Sequence, residues 1–500
     1  MSRVRVNVVA NMVGGAVNAL LGIVLVPVYL RYVGSEGYGL VGFHAMLTAV
    51  LSILDGGLAL TLNRAMARYS AAAESESRLR NALRTIEVLY WPVAAVIAGG
   101  VFLLAPAIQS RWVSARRLAD HDVVTAIRVM GVIVALQLLA GLYQAGLAGL
   151  QRQLVVNSIT TGSALLRGVL TISVLAFVSP TIVAFFVTQA CVTLLQAITS
   201  AVTIRRQLPP GEAKFDKALL RAEWAFTAAI GVNVIVGALL TQTDKVVLSA
   251  VLPLQEFGYY VVAATVASSL ALLISPIHTA IYPRFTQLLT SRDDLALRDL
   301  YHAAAQFTAI MLLPVAVILT AFGREVLLLW TGDPVVAASA SRVAAILVAG
   351  TALNGIAGVA VHLALAAGWL RLTMLVNPVS AVVLVPASIF LSSRYGAVGA
   401  ASVWLALNVG YVLIFVPIMH RRLLPAEKWR WYTRDVLLPL LGAVATGALF
   451  RTAMPDFTRN WPLAAYIAMA GLCTFAVAAL LADQMRGRVF AFVSARGRRV

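Results

Sequence analysis

Five hundred residues would ordinarily fold as roughly three or four soluble domains, but 60% are hydrophobic, only 12% are charged and the mean hydropathy is +0.87. That composition excludes a water-soluble protein and leaves room for little besides membrane-spanning helices. The formal net charge of +18, from 39 Lys and Arg against 21 Asp and Glu, would suggest a nucleic-acid partner in a soluble chain, so where the charges sit decides what they mean.

The chain opens with Ser2-Arg3-Val4-Arg5 and an apolar run from Val8 to Leu30, too long for the core of a signal peptide and read as the first span. Further apolar runs follow at roughly 40 to 62, 86 to 108, 123 to 147, 154 to 178, 181 to 204, 222 to 249, 257 to 283, 303 to 322, 343 to 366, 372 to 392, 396 to 419, 436 to 453 and 461 to 482. These predict about fourteen transmembrane helices. None shows the alternating ten-residue pattern of a membrane β-barrel, so an all-α polytopic membrane protein is expected.

With the amino terminus on the cytoplasmic side, about 27 Lys and Arg fall in cytoplasmic segments and about 9 in outer loops. Three lie within spans: Arg128, Arg167 and Lys245. One outer loop dissents, with Arg111, Arg116 and Arg117 beside Asp120 and Asp122. The bias predicts both termini in the cytoplasm and reads the cationic excess as topology and attraction to an anionic lipid surface, not as a nucleic-acid site. Two basic stretches, His420 to Asp435 with its Trp429, Trp431 and Tyr432, and the tail Arg486 to Arg499, are expected to anchor along the inner surface.

The chain resembles itself at an offset of 219 residues in two places. Arg31-Tyr-Val-Gly-Ser-Glu-Gly-Tyr38-Gly39 aligns with Val251-Leu-Pro-Leu-Gln-Glu-Phe257-Gly258, and Gly149-Leu-Gln-Arg152 aligns with Gly368-Trp-Leu-Arg371. Six spans per unit is an even number, so the two repeats are parallel and related by an axis along the membrane normal. The expected organisation is a first lobe over 1–210, a second over 211–421, and two additional helices with a basic tail over 422–500.

No lysine follows a glycine, so no P-loop is present, and neither His-Glu-x-x-His nor Gly-x-Ser-x-Gly occurs. The longest outer loops, about 15 to 20 residues by span length, leave little room for catalytic groups, so an enzyme is not expected. Cys191 and Cys473 sit alone in apolar runs, without ligand spacing, so neither a metal nor any other cofactor is expected.

A charge in the bilayer interior costs about 2.5 to 3.5 kcal/mol on insertion scales, which makes each one a candidate for function. Arg167 lies near the middle of its span in Thr160-Thr-Gly-Ser-Ala-Leu-Leu-Arg167-Gly, too deep to snorkel. A guanidinium there suits a phosphate or pyrophosphate held by two N–H groups; the alternative is burial against helix carbonyls or a carboxylate such as Asp55. Asn233, Gly237, Thr241 and Asp244-Lys245 form a polar stripe in the seventh span, with Lys245 an anion contact and Asp244 a structural partner. Adjacent residues point about 100° apart on a helix, so only one of that pair is expected to face a cavity. Arg128 is a third cationic candidate, with snorkelling as its alternative. Asp55 serves either ion coupling or the helix break at Gly56-Gly57. Asn354, Gly358 and His362 line one helix face, and His278 follows Pro276; these histidines are read first as packing residues. Gly14, Asn18 and Gly22 form a small-residue face suited to close helix approach.

Together, Arg31-Tyr-x-Gly-x-Glu-x-Tyr-Gly39, Leu54-Asp55-Gly-Gly-Leu58, Thr243-Asp244-Lys245-Val-Val-Leu and Phe257-Gly258-Tyr-Tyr resemble the polysaccharide exporters of the multidrug/oligosaccharidyl-lipid/polysaccharide (MOP) superfamily, and most closely its O-antigen (Wzx-type) flippases. The resemblance implies a V-shaped pair of six-helix lobes, a cationic central cavity, and a bacterial inner-membrane protein. It further implies that undecaprenyl-pyrophosphate-linked oligosaccharide is moved from the cytoplasmic to the periplasmic leaflet by alternating access. H+ or Na+ coupling and a place beside polysaccharide polymerase or export machinery would accompany that role. Two rivals share the superfamily, a lipid II flippase and a cation-coupled multidrug exporter; a membrane polymerase or ligase is disfavoured by the short outer loops.

Overall fold

A computed structural model describes residues 2–70 and 76–484, and among the described residues every regular element is helical. The physical reason is the solvent: lipid offers backbone groups no hydrogen bonds, so each apolar run must satisfy its own. The first part of the chain forms α1 (Ser2–Leu51), α2 (Leu58–Ser70), α3 (Glu76–Arg111), α4 (Asp120–Gly149), α5 (Gln153–Phe177), α6 (Ile182–Gln207), α7 (Lys217–Val251) and α8 (Leu254–Ser269). Then come α9 (Ala271–Ser291), α10 (Asp294–Ala321), α11 (Gly323–Thr331), α12 (Pro334–Ala366), α13 (Leu370–Gly410), α14 (Val416–Leu423), α15 (Lys428–Arg430), α16 (Leu438–Thr452) and α17 (Asn460–Leu481). Residues of the expected basic tail beyond 484 lie outside the described residues.

Twelve helical segments among the described residues are long and apolar enough to cross a membrane, where fourteen spans are expected. The difference lies in Val13–Asp55 and Val376–Leu423, each of which carries two of the expected runs in one segment. In the first, Gly34 breaks the helix with φ 71 and ψ 175; in the second, Gly396 does so with φ 57 and ψ −138. Both dihedral pairs are open to glycine alone without strain.

The chain divides into two compact units, Met1–Gly258 and Tyr259–Val500. In the first, α4 is the central helix, packing against α2, α3 and α6. Leu62, Met66, Ile86, Tyr90, Leu142 and Ile204 form the buried apolar cluster at that junction. On the small-residue face of α1, a side chain on Gly14 would meet Asn157 at 3.1 Å, whereas one on Gly22 would meet open space.

The aligned motifs of the internal resemblance touch each other inside the first unit. A Cβ on Gly39 would fall on the carbonyl oxygen of Leu254, and one on Gly258 would fall on that of Ser35. Ser35 to Leu254 and Gly39 to Gly258 are both steps of 219, so the contact is reciprocal, as at a two-fold interface where residue i meets j and j meets i. Glu36 supports this corner, its carboxylate accepting the backbone N–H groups of Arg116 and of Arg117, the latter at 2.9 Å. The loop that carries Arg116 and Arg117 is therefore tied down through its backbone.

In the second unit α10 and α12 are the interior helices, and α16 and α17 pack on α10. Ile318 and Phe322 of that unit pack with Leu463, Ile467 and Ala470 of α17. The stretch His420 to Asp435, expected to lie along a lipid surface, is divided: His420, Leu424, Trp431 and Asp435 are buried in protein, while Arg421, Arg422, Trp429, Thr433 and Arg434 are exposed. The buried Asp435 carboxylate has its partners, His302 and Gln306, inside the unit.

Candidate functional site

Arg167 sits fourteen residues into α5, about 21 Å along the helix from its start. One face of α5 turns inward, carrying half-buried Arg167 and buried Gly168, Thr171 and Leu175, while Leu165, Leu166, Val169 and Leu170 are exposed. Facing it, α6 presents Gln189, Thr193 and Gln196, spaced four and three residues apart and so on one side of the helix. The Arg167 guanidinium donates through Nη2 to Gln196 Oε1 at 3.2 Å and to Thr193 Oγ1 at 3.4 Å. Gln189 in turn donates to Thr171 Oγ1 at 3.3 Å.

The site extends onto α1 and α4. Tyr29 lies within electrostatic reach of Arg167 beside Thr171 and Gln189, with its ring edge-on to Phe185 at 5.0 Å. Beyond Gly34, His44 also feels the Arg167 charge and lies 3.5 Å from Thr48 Oγ1, which donates to Gln137 of α4 at 3.4 Å. The result is a polar seam inside the first unit whose single formal cation has only neutral hydrogen-bond partners among the described residues. Arg167 Nε is buried there without a partner. A guanidinium held by weak neutral acceptors, with donors unspent, is suited to binding an anion.

The expected alternative, a pair between Arg167 and Asp55, is not formed. Asp55 closes the 3₁₀ turn Ser52–Asp55 and caps α2, accepting from Gly57 N–H at 3.2 Å and Ala59 N–H at 3.1 Å. Gly56 and Gly57 both have positive φ, so the helix break at Asp55 is real. Lys245 and Asp244 do not point to separate places: Lys245 Nζ lies 3.5 Å from Asp244 Oδ1 and donates to the Thr241 carbonyl at 2.9 Å. The long lysine side chain folds back along its own helix, which a count of degrees per residue does not capture.

Arg128 is eight residues into α4 and stacks over the Phe102 ring, 4.7 Å from guanidinium carbon to ring centre. Arg167, Lys245 and Arg128 thus share the first unit but have three separate sets of partners. In the second unit, Asn354 donates to Asn408 Oδ1 at 2.8 Å, and His362 Nδ1 lies 2.7 Å from the Gly358 carbonyl. His362 also lies against His278 with ring centres 4.3 Å apart, and His278 Nε2 is buried without a hydrogen-bond partner. The side chain of Asn233 lies outside the described residues. No cluster of His, Cys, Asp or Glu able to hold a metal occurs among the described residues.

Two groups of polar residues escape sequence reasoning. Tyr29, Thr171, Gln189, Thr193 and Gln196 are uncharged and scattered over three helices; the spacing of the α6 trio is the one signal that could have found them. The other is a buried knot in the second unit. His302, fully buried, contacts Asp435 through Nδ1 and Glu427 through Nε2, the latter at 3.0 Å. Gln306 donates to Asp435 at 2.9 Å and accepts from Gln484 N–H at 3.0 Å, and Arg298 and Arg430 each lie 3.8 Å from Glu427. This knot fastens the chain from 427 to 435 onto α10.

Known proteins place this geometry in a wider setting. A relative from Shigella flexneri named "Putative O-antigen transporter" is 21% identical over 399 residues, covering 80% of this chain and 93% of its own. Among solved structures, the lipid II flippase MurJ in an inward closed conformation superposes with a TM-score of 0.70 at 11% identity, over 95% of this chain and 98% of its own. An inward-facing multidrug resistance MATE family transporter of the MOP superfamily superposes with a TM-score of 0.61 at 13% identity, covering 83% of this chain and 96% of its own. These likenesses show that the chain shares the multi-pass helical fold of those two proteins. The MatE model matches residues 229–390. The model described as polysaccharide biosynthesis protein matches residues 4–289, more than half of the sequence, and the chain belongs to that family.

Proposed function

We propose that this protein is a flippase that carries an undecaprenyl-pyrophosphate-linked oligosaccharide, an O-antigen or exopolysaccharide repeat unit, from the cytoplasmic to the periplasmic leaflet of the inner membrane. The observation that carries this reading is Arg167: a cation deep in a membrane helix, with neutral partners and an unused donor. Insertion of such a charge is costly, and an anionic headgroup offsets that cost only while it is bound. A pyrophosphate would accept from the guanidinium fork, the Thr and Gln side chains would meet sugar hydroxyls, and the lipid tail would stay in the bilayer. Arg128 and Lys245 are secondary contacts in this reading, since each already has a partner. The family membership and the Shigella flexneri relative support the polysaccharide substrate class.

In this reading alternating access proceeds in a molecule of two parallel repeats with fourteen spans, the two glycine-broken segments each counting twice. The reciprocal Gly39 and Gly258 contact supports the repeat. Asp55 and Asp244 are the intramembrane acids available for H+ or Na+ coupling, but one caps a helix and the other has a lysine beside it. That weighs against a cation-coupled drug exporter. A lipid II substrate is the second reading, favoured by the extent of the superposition on MurJ.

Deleting the gene tests the assignment. Lipid-linked repeat units should accumulate on the cytoplasmic leaflet while their synthesis continues, and surface polysaccharide should disappear. Normal surface polysaccharide in the deletant, with peptidoglycan precursor trapped instead, would move the substrate to lipid II.

A further inference from the structure

A second cationic site lies in the first unit, away from Arg167. The start of α3, the end of α6 and the Pro209–Pro210–Gly211 turn border an open-sided cavity of about 420 Å³. Four guanidinium groups line it, from Arg80, Arg84, Arg205 and Arg206, against one carboxylate, that of Glu87. Glu87 is buried and bound by Arg205 Nη2 at 2.6 Å, and Arg205 also lies over the Tyr143 ring at 5.6 Å, so one charge is neutralised and held still. Arg80 is held differently. Three carbonyls of the turn accept from it, those of Glu212, Pro209 and Pro210 at 3.1, 3.3 and 3.0 Å. Gly211, at φ 138, lets the turn lie against the guanidinium, where a Cβ would come within 2.7 Å of Arg80 Nη2. Carbonyls orient a guanidinium without cancelling its charge. Among the described residues no carboxylate makes an ion pair with Arg80, Arg84 or Arg206.

The surplus is therefore three positive charges around a concavity large enough for a small ligand. Like charges gathered and braced at one place repel, and a folded chain keeps such an arrangement where an anion relieves it. The cavity also has an apolar wall, Leu83, Leu208 and Ala213, and it lies at the ends of two membrane helices. Basic pockets between helices at the membrane surface are suited to phosphate-bearing headgroups. We propose that this cavity is a binding site for a phosphate-bearing group, with Arg80 as the preset contact and the exposed Arg84 and Arg206 as the additional ones. Anionic phospholipid headgroups and soluble pyrophosphate share this chemistry. The site is separate from the Arg167 seam and does not depend on the transport reading.

The test uses full-length protein purified in nanodiscs of phosphatidylcholine, or of phosphatidylcholine and phosphatidylglycerol in equal amounts. Melting is followed with and without inorganic pyrophosphate, and retained lipid is counted by native mass spectrometry. The wild type should be stabilised by phosphatidylglycerol, by pyrophosphate or by both, and the pattern identifies the source of the phosphate. The double variant R84Q/R206Q removes two exposed guanidiniums without touching the braced ones, and each removal should weaken binding about tenfold. If that variant melted early without ligand, the single variants R84Q and R206Q would carry the comparison. Stabilisation by neither probe, or equal stabilisation of wild type and variants, overturns the proposal. Loss of binding with the transport of lipid-linked sugar intact supports this site alone, and loss of transport in R167M with this binding intact separates the two.

Discussion

Replacing Arg167 by methionine discriminates between an arginine that holds the protein together and one that waits for a substrate. Its partners in the folded state are two neutral oxygens at 3.2 and 3.4 Å, long for hydrogen bonds, and its Nε has none. Bonds of that kind to a charged group return about 1.5 kcal/mol each at the lower end of the usual range. Placing the charge in the bilayer interior costs about 2.5 to 3.5 kcal/mol. The two sums nearly cancel, so R167M should leave the melting temperature unchanged or slightly higher. Transport should respond quite differently. Two charge-assisted bonds to a pyrophosphate are together worth about 3 kcal/mol or more, which corresponds to a loss of at least about a hundredfold in affinity. The assay pairs melting in nanodiscs with lipid-linked oligosaccharide translocation in proteoliposomes, normalised to folded protein. Arg167→Lys, which retains charge but lacks the planar fork, should fall between wild type and R167M. A variant that melts many degrees lower yet transports normally would refute the reasoning, because Arg167 would then be a structural brace.

Other residues give sharper structural tests. His302→Ala leaves Asp435 buried opposite a void and should destabilise the second unit by about 3 to 5 kcal/mol, read as a lower melting temperature or early proteolysis between α14 and α16; a melt within a degree of wild type would show the knot to be dispensable. Asp55→Ala removes the cap of α2 and should cost about 0.5 to 2 kcal/mol, with Asp55→Asn recovering most of it and transporting normally. Abolished transport in a well-folded Asp55→Asn protein would instead make the carboxylate's charge the essential feature. Gly39→Val would drive a branched side chain into the Leu254 carbonyl and should cost about 1 to 3 kcal/mol, detected by melting; an unchanged melt would mean the contact is loose.

Much of this molecule follows from the order of its residues. The apolar runs set the helices because lipid allows no other way to satisfy the backbone. Arg167 stands out because one charge in an apolar run is visible without any structure. What the order could not supply was company. Gln189, Thr193 and Gln196 become partners of Arg167 only because α5 and α6 lie face to face, and side-chain amides and hydroxyls are common enough in membrane helices to carry no signal alone. Asp55 caps its neighbour, and Lys245 folds onto Asp244, because local backbone geometry decides these contacts. His302 meets residues more than a hundred positions away, and the four arginines of the α3–α6 cavity come from two helix ends whose basic residues look, in sequence, like ordinary topological charge. Periodicity reports which face of a helix is apolar, a property of one element; which two faces meet is a property of the packed whole.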